Sequence, residues 1–318
     1  MSNINQTISL TSEISEETVG KRLDQALALV FPQHSRSRLK EWIEKHQVTV
    51  NGDFRRPRDK VFLGDRISIE AEIETVSDWQ AEPIPLNIIY EDEHLLILNK
   101  PDNWVVHPAI GNWAGTVVNA LLHHDPRLQQ IPRAGIVHRL DKDTTGLMMV
   151  AKSLVAQTRL VAELQARTVK RTYEAVVGGI LVSGGTVEAP IGRHPHERVK
   201  MAVVEMGKPA VTHYRVLEKF AAHTRLRLEL ETGRTHQIRV HMAHIRHPIV
   251  GDKTYGGRFR LPPNTSEQLQ HALRTFPRQA LHAKGLCLTH PVTEEEMNWE
   301  IPLPADIELL LTHLRTSA

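Results

Sequence analysis

The stretch VHRLDKDTTGLMMVAK, Val137 to Lys152, sets two carboxylates two residues apart, follows them with two threonines and a glycine, and runs into an apolar segment. Three chemistries are written this way: a calcium loop, an aspartate that accepts a phosphoryl group, and a site in which only one aspartate works. A fourth possibility is that Asp141 and Asp143 merely organise a surface turn through Asx-type hydrogen bonds, with Gly146 at positive φ. The choice among them decides what kind of domain surrounds the stretch.

Counted from Asp141, a calcium loop places Asp143, Thr145 and Gly146 acceptably. It then puts Lys152 where the bidentate glutamate belongs, and a cation there repels the ion. Asp141-Lys142-Asp143-Thr144-Thr145 also fits D-x-D-x-T, in which the first aspartate forms an acyl phosphate while magnesium neutralises the phosphate. That chemistry wants an unbroken apolar strand before the first aspartate, and His138 and Arg139 interrupt it. It also wants a downstream acidic pair, and in GDKTYG (Gly251 to Gly256) a glycine stands where the second acid belongs. The one-aspartate site and the simple turn remain, and the wider sequence separates them.

The chain has 318 residues, 41% hydrophobic and 24% charged, which is ordinary for a globular protein with one large and one small domain. The formal charge of +2 is bland, but the positive residues are clustered. A single cysteine, Cys287 in GLCLTH, excludes an internal disulfide and any Cys-rich zinc site, and is expected to be a small buried hydrophobe. The N-terminus has neither the basic nor the apolar region of a signal peptide, and no apolar run approaches a membrane span. A cytoplasmic protein without a membrane partner is expected.

Residues 1–17 read as a polar tail. In GKRLDQALALVF, Leu23, Ala26, Leu27 and Val30 form one helix face, ended at Phe31-Pro32. SRSRLKEWIEKH starts with capping serines and gathers Leu39, Trp42 and Ile43 on one side. Asn51-Gly52 in VTVNGDF is a hairpin turn, and DRISIEAEIE alternates as a strand. From Gln33 to Arg66 there are nine Lys/Arg against five Asp/Glu. Arg36, Arg38 and Lys40 leave the first turns of the second helix, and Arg55 and Arg56 follow the hairpin, so a phosphate-contacting surface is expected over 18–75.

Thr75 to Asn87 is polar with two prolines, and a linker is expected over 76–87. Beyond it, HLLILNKP is a buried strand ending at Pro101, and YEAVVGGILVSGGTVEAPI is strand, glycine turn, strand. HTRLRLELETG alternates as a half-exposed strand. RTHQIRVHMAHIRHP spaces Ile238, Met242 and Ile245 as a helix with Thr235 as its cap. Strands with few helices between them predict an α+β domain over 88–318 with a mixed, largely antiparallel sheet. His236, His241, His244 and His247 invite a metal, but no HExxH or partner acids accompany them, and structural or RNA-facing roles fit better.

HRLDKDTTGLMMVAKS resembles the signature of the RluA family of pseudouridine synthases, H-R-L-D followed by T-[ST]-G. LNKPDNWVVHP is similar to the family's Asn-Lys-Pro strand, KRTYEAVVGG to its tyrosine strand, and ETGRTHQIRVHMAHIRHPIVGDKTYGG to its arginine motif. The basic N-terminal module resembles an S4 RNA-binding domain. The resemblance implies that uridine is converted to pseudouridine by breaking N1–C1′, turning the uracil and rejoining it through C5. It assigns Asp141 as the carboxylate that attacks C1′ or removes the 2′ proton, paired with Arg239. It makes Tyr173 the ring that stacks on the base and helps remove the C5 proton, and Arg139 the side chain that fills the space left by the flipped uridine. Ile238 would line the uracil pocket.

The resemblance further implies 23S ribosomal RNA as substrate, free or in an assembling large subunit, at the stem-loop of the subunit interface. It implies no metal or organic cofactor, and nothing demands more than a monomer. Asn103 stands where the family usually carries glycine, and asparagine is the least costly replacement if the backbone there is left-handed. Thr145 replaces a commoner serine and keeps the hydroxyl. Two rivals fit less well. A non-catalytic RNA-binding or assembly factor has no use for Asp141, Tyr173 and Arg239 together. A uridine C5-methyltransferase needs a nucleophilic cysteine, and the setting of Cys287 supplies none.

Overall fold

Short amphipathic segments of opposite periodicity build the first of two units, Met1–Asp78 and Trp79–Ala318, in a computed structural model. The structure describes residues 6–31, 34, 36–73, 79–108, 111–197, 199–257, 261 and 265–316. In the first unit, α1 (Leu23–Val30) buries Leu23, Ala26 and Leu27, and α2 (Arg36–Glu44) buries Leu39, Trp42 and Ile43. These faces meet the alternating Ile67, Ile69 and Ala71 in one core. The capping serine Ser35 and the proline Pro32 lie outside the described residues.

Four strands complete this unit: β1 (Gln6–Glu13), β2 (Val48–Val50), β3 (Asp53–Phe54) and β4 (Arg66–Ile73), ordered β1-β4-β2-β3. The hairpin turn is where the sequence puts it, with Asn51 at φ 55° and Gly52 at φ 88° between Val50 and Asp53. The N-terminal expectation needs correcting. Gln6–Glu13 is a strand paired along its length with β4, because Ile8 and Leu10 pack on the core. The tail over 1–17 therefore gives way to sheet from Gln6.

The second unit is organised by one sheet, nine-stranded among the described residues. Its strands in chain order begin with β5 (Ile88–Glu91), β6 (Leu95–Lys100), β7 (Thr145–Ala151), β8 (Lys170–Gly178) and β9 (Gly185–Glu188). A small hairpin, β10 (Ile191–Arg193) with β11 (Met201–Val203), stands apart from the sheet. There follow β12 (Val211–Lys219), β13 (His223–Leu230), β14 (Leu281–Thr289) and β15 (Glu296–Glu300). The order is β5-β6-β7-β14-β8-β13-β12-β9, with β15 beside β14. Only β7–β14 is parallel among these pairs, in line with a mixed, largely antiparallel sheet.

The near-continuous apolar runs of β6 and β7 exist because both faces of the sheet are covered. Leu96, Leu98, Met148 and Val150 face a core shared with α3 (Val117–His124), α5 (Gln237–His244), α6 (Glu267–Thr275) and α7 (Ala305–Thr316). Leu95, Ile97, Leu147 and Met149 face the opposite way, against α4 (Leu154–Ala166). Gly146 is required where β7 and β14 run side by side, since it has φ 117° and a Cβ there would collide with the Ala283 carbonyl.

Three further expectations change. The stretch expected to be a linker over 76–87 is packed from Trp79 onward: Trp79, Ile84 and Leu86 lie on the main core, and the Asn119 amide donates to the Gln80 carbonyl. The strands on either side of the glycine turn, β8 and β9, are not neighbours; β13 and β12 insert between them. Cys287 is only half buried, because it lies on β14 opposite the edge strand β15.

Candidate active site

Asp141 sits in a loop that leads into β7, in line with the interruption of the apolar pattern at His138 and Arg139. The loop is held from below. Lys100, the last residue of β6, is fully buried and donates to the carbonyls of Pro101 (2.7 Å), Trp104 (3.0 Å) and Lys142 (2.9 Å). Burial brings its amine down to about 7, against the pull of Asp143, Asp102 and Asp141. The Trp104 N–H also donates to the Lys142 carbonyl, so the Pro101–Trp104 turn and the Asp141 loop are stitched together. Asn103 in that turn has φ 52°, the left-handed geometry that asparagine tolerates.

The far side of the loop is fixed as firmly. The Thr144 N–H closes a turn onto the Asp141 carbonyl, Gln279 donates to the Thr144 hydroxyl, and Thr145 pairs with His282 at 2.8 Å. Before it, His138 Nε2 accepts the Met149 N–H at 3.0 Å, and burial pushes this imidazole down to about 3. His138 is therefore a neutral prop that locks the loop to β7.

Arg239, on the first turn of α5, supplies the charge opposite Asp141. Its Nη1 donates to Asp141 Oδ2 at 2.9 Å, while Nε and Nη2 grip Asp252 at 2.7 and 3.0 Å. Burial alone would disfavour the guanidinium, but the Asp252 bonds and the charges of Asp252 and Asp141 outweigh it and raise its pKa. Burial likewise disfavours the Asp252 carboxylate, yet Arg239 and the N–H groups of Tyr255 and Thr254 hold it below the usual range. Tyr255 lies under the guanidinium, 5.0 Å from ring centroid to Cζ, and its hydroxyl bonds His236 Nδ1 at 2.7 Å. His236, not Thr235, caps α5, with φ 57° and no side-chain bond to the helix.

The histidine series is divided among separate tasks. His241 bonds the Thr212 hydroxyl and the Ala189 carbonyl, and His247 bonds the Gly178 carbonyl. Asp252, in the segment once weighed as a metal-binding pair, has both oxygens committed to Arg239 and the backbone.

These residues open onto a cleft of about 820 Å³. Asp141, Tyr173, Arg239, Arg139 and Ile238 all line it, so the structure gathers every catalytic and pocket residue expected from the sequence. Tyr173 points into the cleft from β8, and burial pushes its hydroxyl up, with Arg171 pulling the other way. Ile238 is buried and Arg139 exposed on the wall. The lining is rich in cations. Arg239 is committed to its carboxylates and Arg167 is paired with Glu231 at 2.6 Å, while Arg133, Arg139 and Arg171 have no acceptor among the described residues. That excess suits a polyanion.

In the first unit the expected cations are partly occupied. Arg36 donates to the buried Asp24 at 2.7 Å, and Lys40 pairs with Glu44 at 3.4 Å. Arg55 and Arg56 have no carboxylate partner among the described residues, and the Arg38 side chain lies outside them. Reading the motifs assigns no role to Lys100, Asp252 or Tyr255, although the quoted segments contain all three. The signal for Lys100 is a lysine closing a strand that is apolar from Leu95 to Leu98.

Residues 94–244 match the family described as RNA pseudouridylate synthase, and residues 21–67 match the S4 domain. The chain belongs to the pseudouridine synthases, enzymes that isomerise uridine in RNA. It is 59% identical over 308 residues to the ribosomal large subunit pseudouridine synthase D of Pseudomonas aeruginosa, covering 97% of this chain and 96% of that one. The protein of the same description from Escherichia coli K12 is 58% identical over 311 residues, covering 98% and 95%. Among solved structures, human RNA pseudouridylate synthase domain containing 4 aligns with a TM-score of 0.54 at 28% identity, covering 72% of this chain and 93% of that one.

Proposed function

We propose that the protein converts uridines of large-subunit ribosomal RNA into pseudouridine, with Asp141 as the working carboxylate. The substrate is 23S RNA, free or in an assembling subunit, at the stem-loop of the subunit interface, and the enzyme acts as a cytoplasmic monomer. One observation carries the assignment of Asp141: Arg239 holds it at 2.9 Å in the cleft that Tyr173 and Ile238 also line.

The geometry supports each requirement of the isomerisation. The uridine leaves its stack to enter the cleft, and the exposed Arg139 guanidinium takes the vacated place. Attack at C1′ and removal of the 2′ proton both need a carboxylate in a fixed direction. Arg239 provides that direction because Asp252 and Tyr255 prevent its own rotation. The Tyr173 ring bounds the uracil on one side, and burial pushes its hydroxyl up, which keeps the phenol protonated. N1–C1′ breaks and C5–C1′ forms while C5 still carries its hydrogen. That proton then passes to a base in the cleft, its electron pair restores C5=C6, and N1 takes up one proton, so atoms and electrons balance.

The site of modification is tested on large-subunit RNA incubated with the protein, treated with a carbodiimide and copied by reverse transcriptase. Stops one position 3′ to specific uridines are expected. RNA without new stops would refute the function.

A further inference from the structure

Arg171 lies two residues before Tyr173 on β8, so both side chains project to the same side of the strand. It is 7% exposed, and its Nε is buried with no hydrogen-bond partner. No carboxylate, hydroxyl or carbonyl among the described residues accepts from it. The guanidinium lines the cleft, and Gly233 leaves it uncovered: a Cβ at that position would come within 2.7 Å of Nη1. A buried, unpaired charge is costly, and native proteins rarely carry one without a use.

A neutral uracil oxygen would satisfy a donor but leave the charge uncompensated. The anion that an RNA strand brings into the cleft is phosphate, and a planar guanidinium fits it bidentately. We propose that Arg171 binds a phosphate adjoining the turned-out uridine and so holds the nucleotide in register with Asp141. Arg171 is then a binding residue whose counter-ion arrives with the substrate. The idea rests on the assignment of the cleft to the target uridine.

Phosphate ethylation tests it. A large-subunit RNA fragment, lightly ethylated at its phosphates, is partitioned between bound and free by wild type, Arg171→Met and Arg171→Gln. Wild type is expected to reject molecules ethylated at a phosphate within about one nucleotide of the converted uridine. Both variants should lose that discrimination, keep the remaining pattern, and bind roughly 10- to 100-fold more weakly. The free Arg171→Met protein should also melt higher than wild type, because an uncompensated charge has gone. Discrimination at that phosphate unchanged in the variants overturns the role of Arg171 alone. If wild type rejects no ethylated phosphate near the converted uridine, the cleft assignment falls with it.

Discussion

Arg239 and Arg171 are two buried arginines in one cleft, and the protein treats them in opposite ways. Arg239 spends its donors on Asp141 and Asp252 and lies over Tyr255. Arg171 has no hydrogen-bond partner among the described residues. A group that aims the working carboxylate must be fixed before substrate arrives, since a displaced carboxylate forfeits orientation. A group that receives the substrate's charge gains by waiting unpaired, at the expense of the free protein's stability.

The contrast is broken most severely at Asp252. Asp252→Ala leaves Arg239 with one of its three hydrogen bonds and releases the Tyr255 turn, so urea unfolding should show a loss of about 3–5 kcal/mol. Stability equal to that of Arg171→Met would mean that the two arginines are held alike. Lys100 comes next. Its folded amine near 7 lies below the ordinary 10.5, so between these values the unfolded chain binds more protons. Wild-type stability should therefore rise with pH across that window relative to Lys100→Met, a trend read from melting temperatures between pH 6 and 9.5; a flat difference would contradict it.

Tyr255→Phe sharpens the comparison more gently. It keeps the ring under Arg239 but removes the hydroxyl that joins His236 to the Met201 N–H, and should cost about 1 kcal/mol with a modest fall in kcat. The smallest effect on stability belongs to the first unit. Arg55→Glu with Arg56→Glu should change unfolding by less than about 0.5 kcal/mol. The same pair should weaken RNA binding and flatten its salt dependence. Arg36→Glu should do both and also destabilise, since it repels the buried Asp24.

The fold was legible where local rules and burial agree. The Asn51-Gly52 turn, the α1 and α2 faces and the double-sided burial of β6 follow from spacing and turn chemistry. What escaped depended on contacts distant in sequence. Gln6–Glu13 is polar enough to pass for a tail until β4 pairs with it, and β8 is parted from β9 by two strands that arrive later in the chain. The site divides the same way. Asp141, Tyr173 and Arg239 sit in motifs, but the grip of Asp252 on Arg239 and of Lys100 on the Lys142 carbonyl exists only in space.

The central claim is that one of the two aspartates in the Val137–Lys152 stretch does the chemistry. Tritium release from large-subunit RNA labelled at uridine C5 measures it directly, with wild type beside Asp141→Asn and Asp143→Asn. Wild type and Asp143→Asn should release tritium, while Asp141→Asn binds the RNA and releases none. Release by Asp141→Asn at the wild-type rate would contradict the assignment.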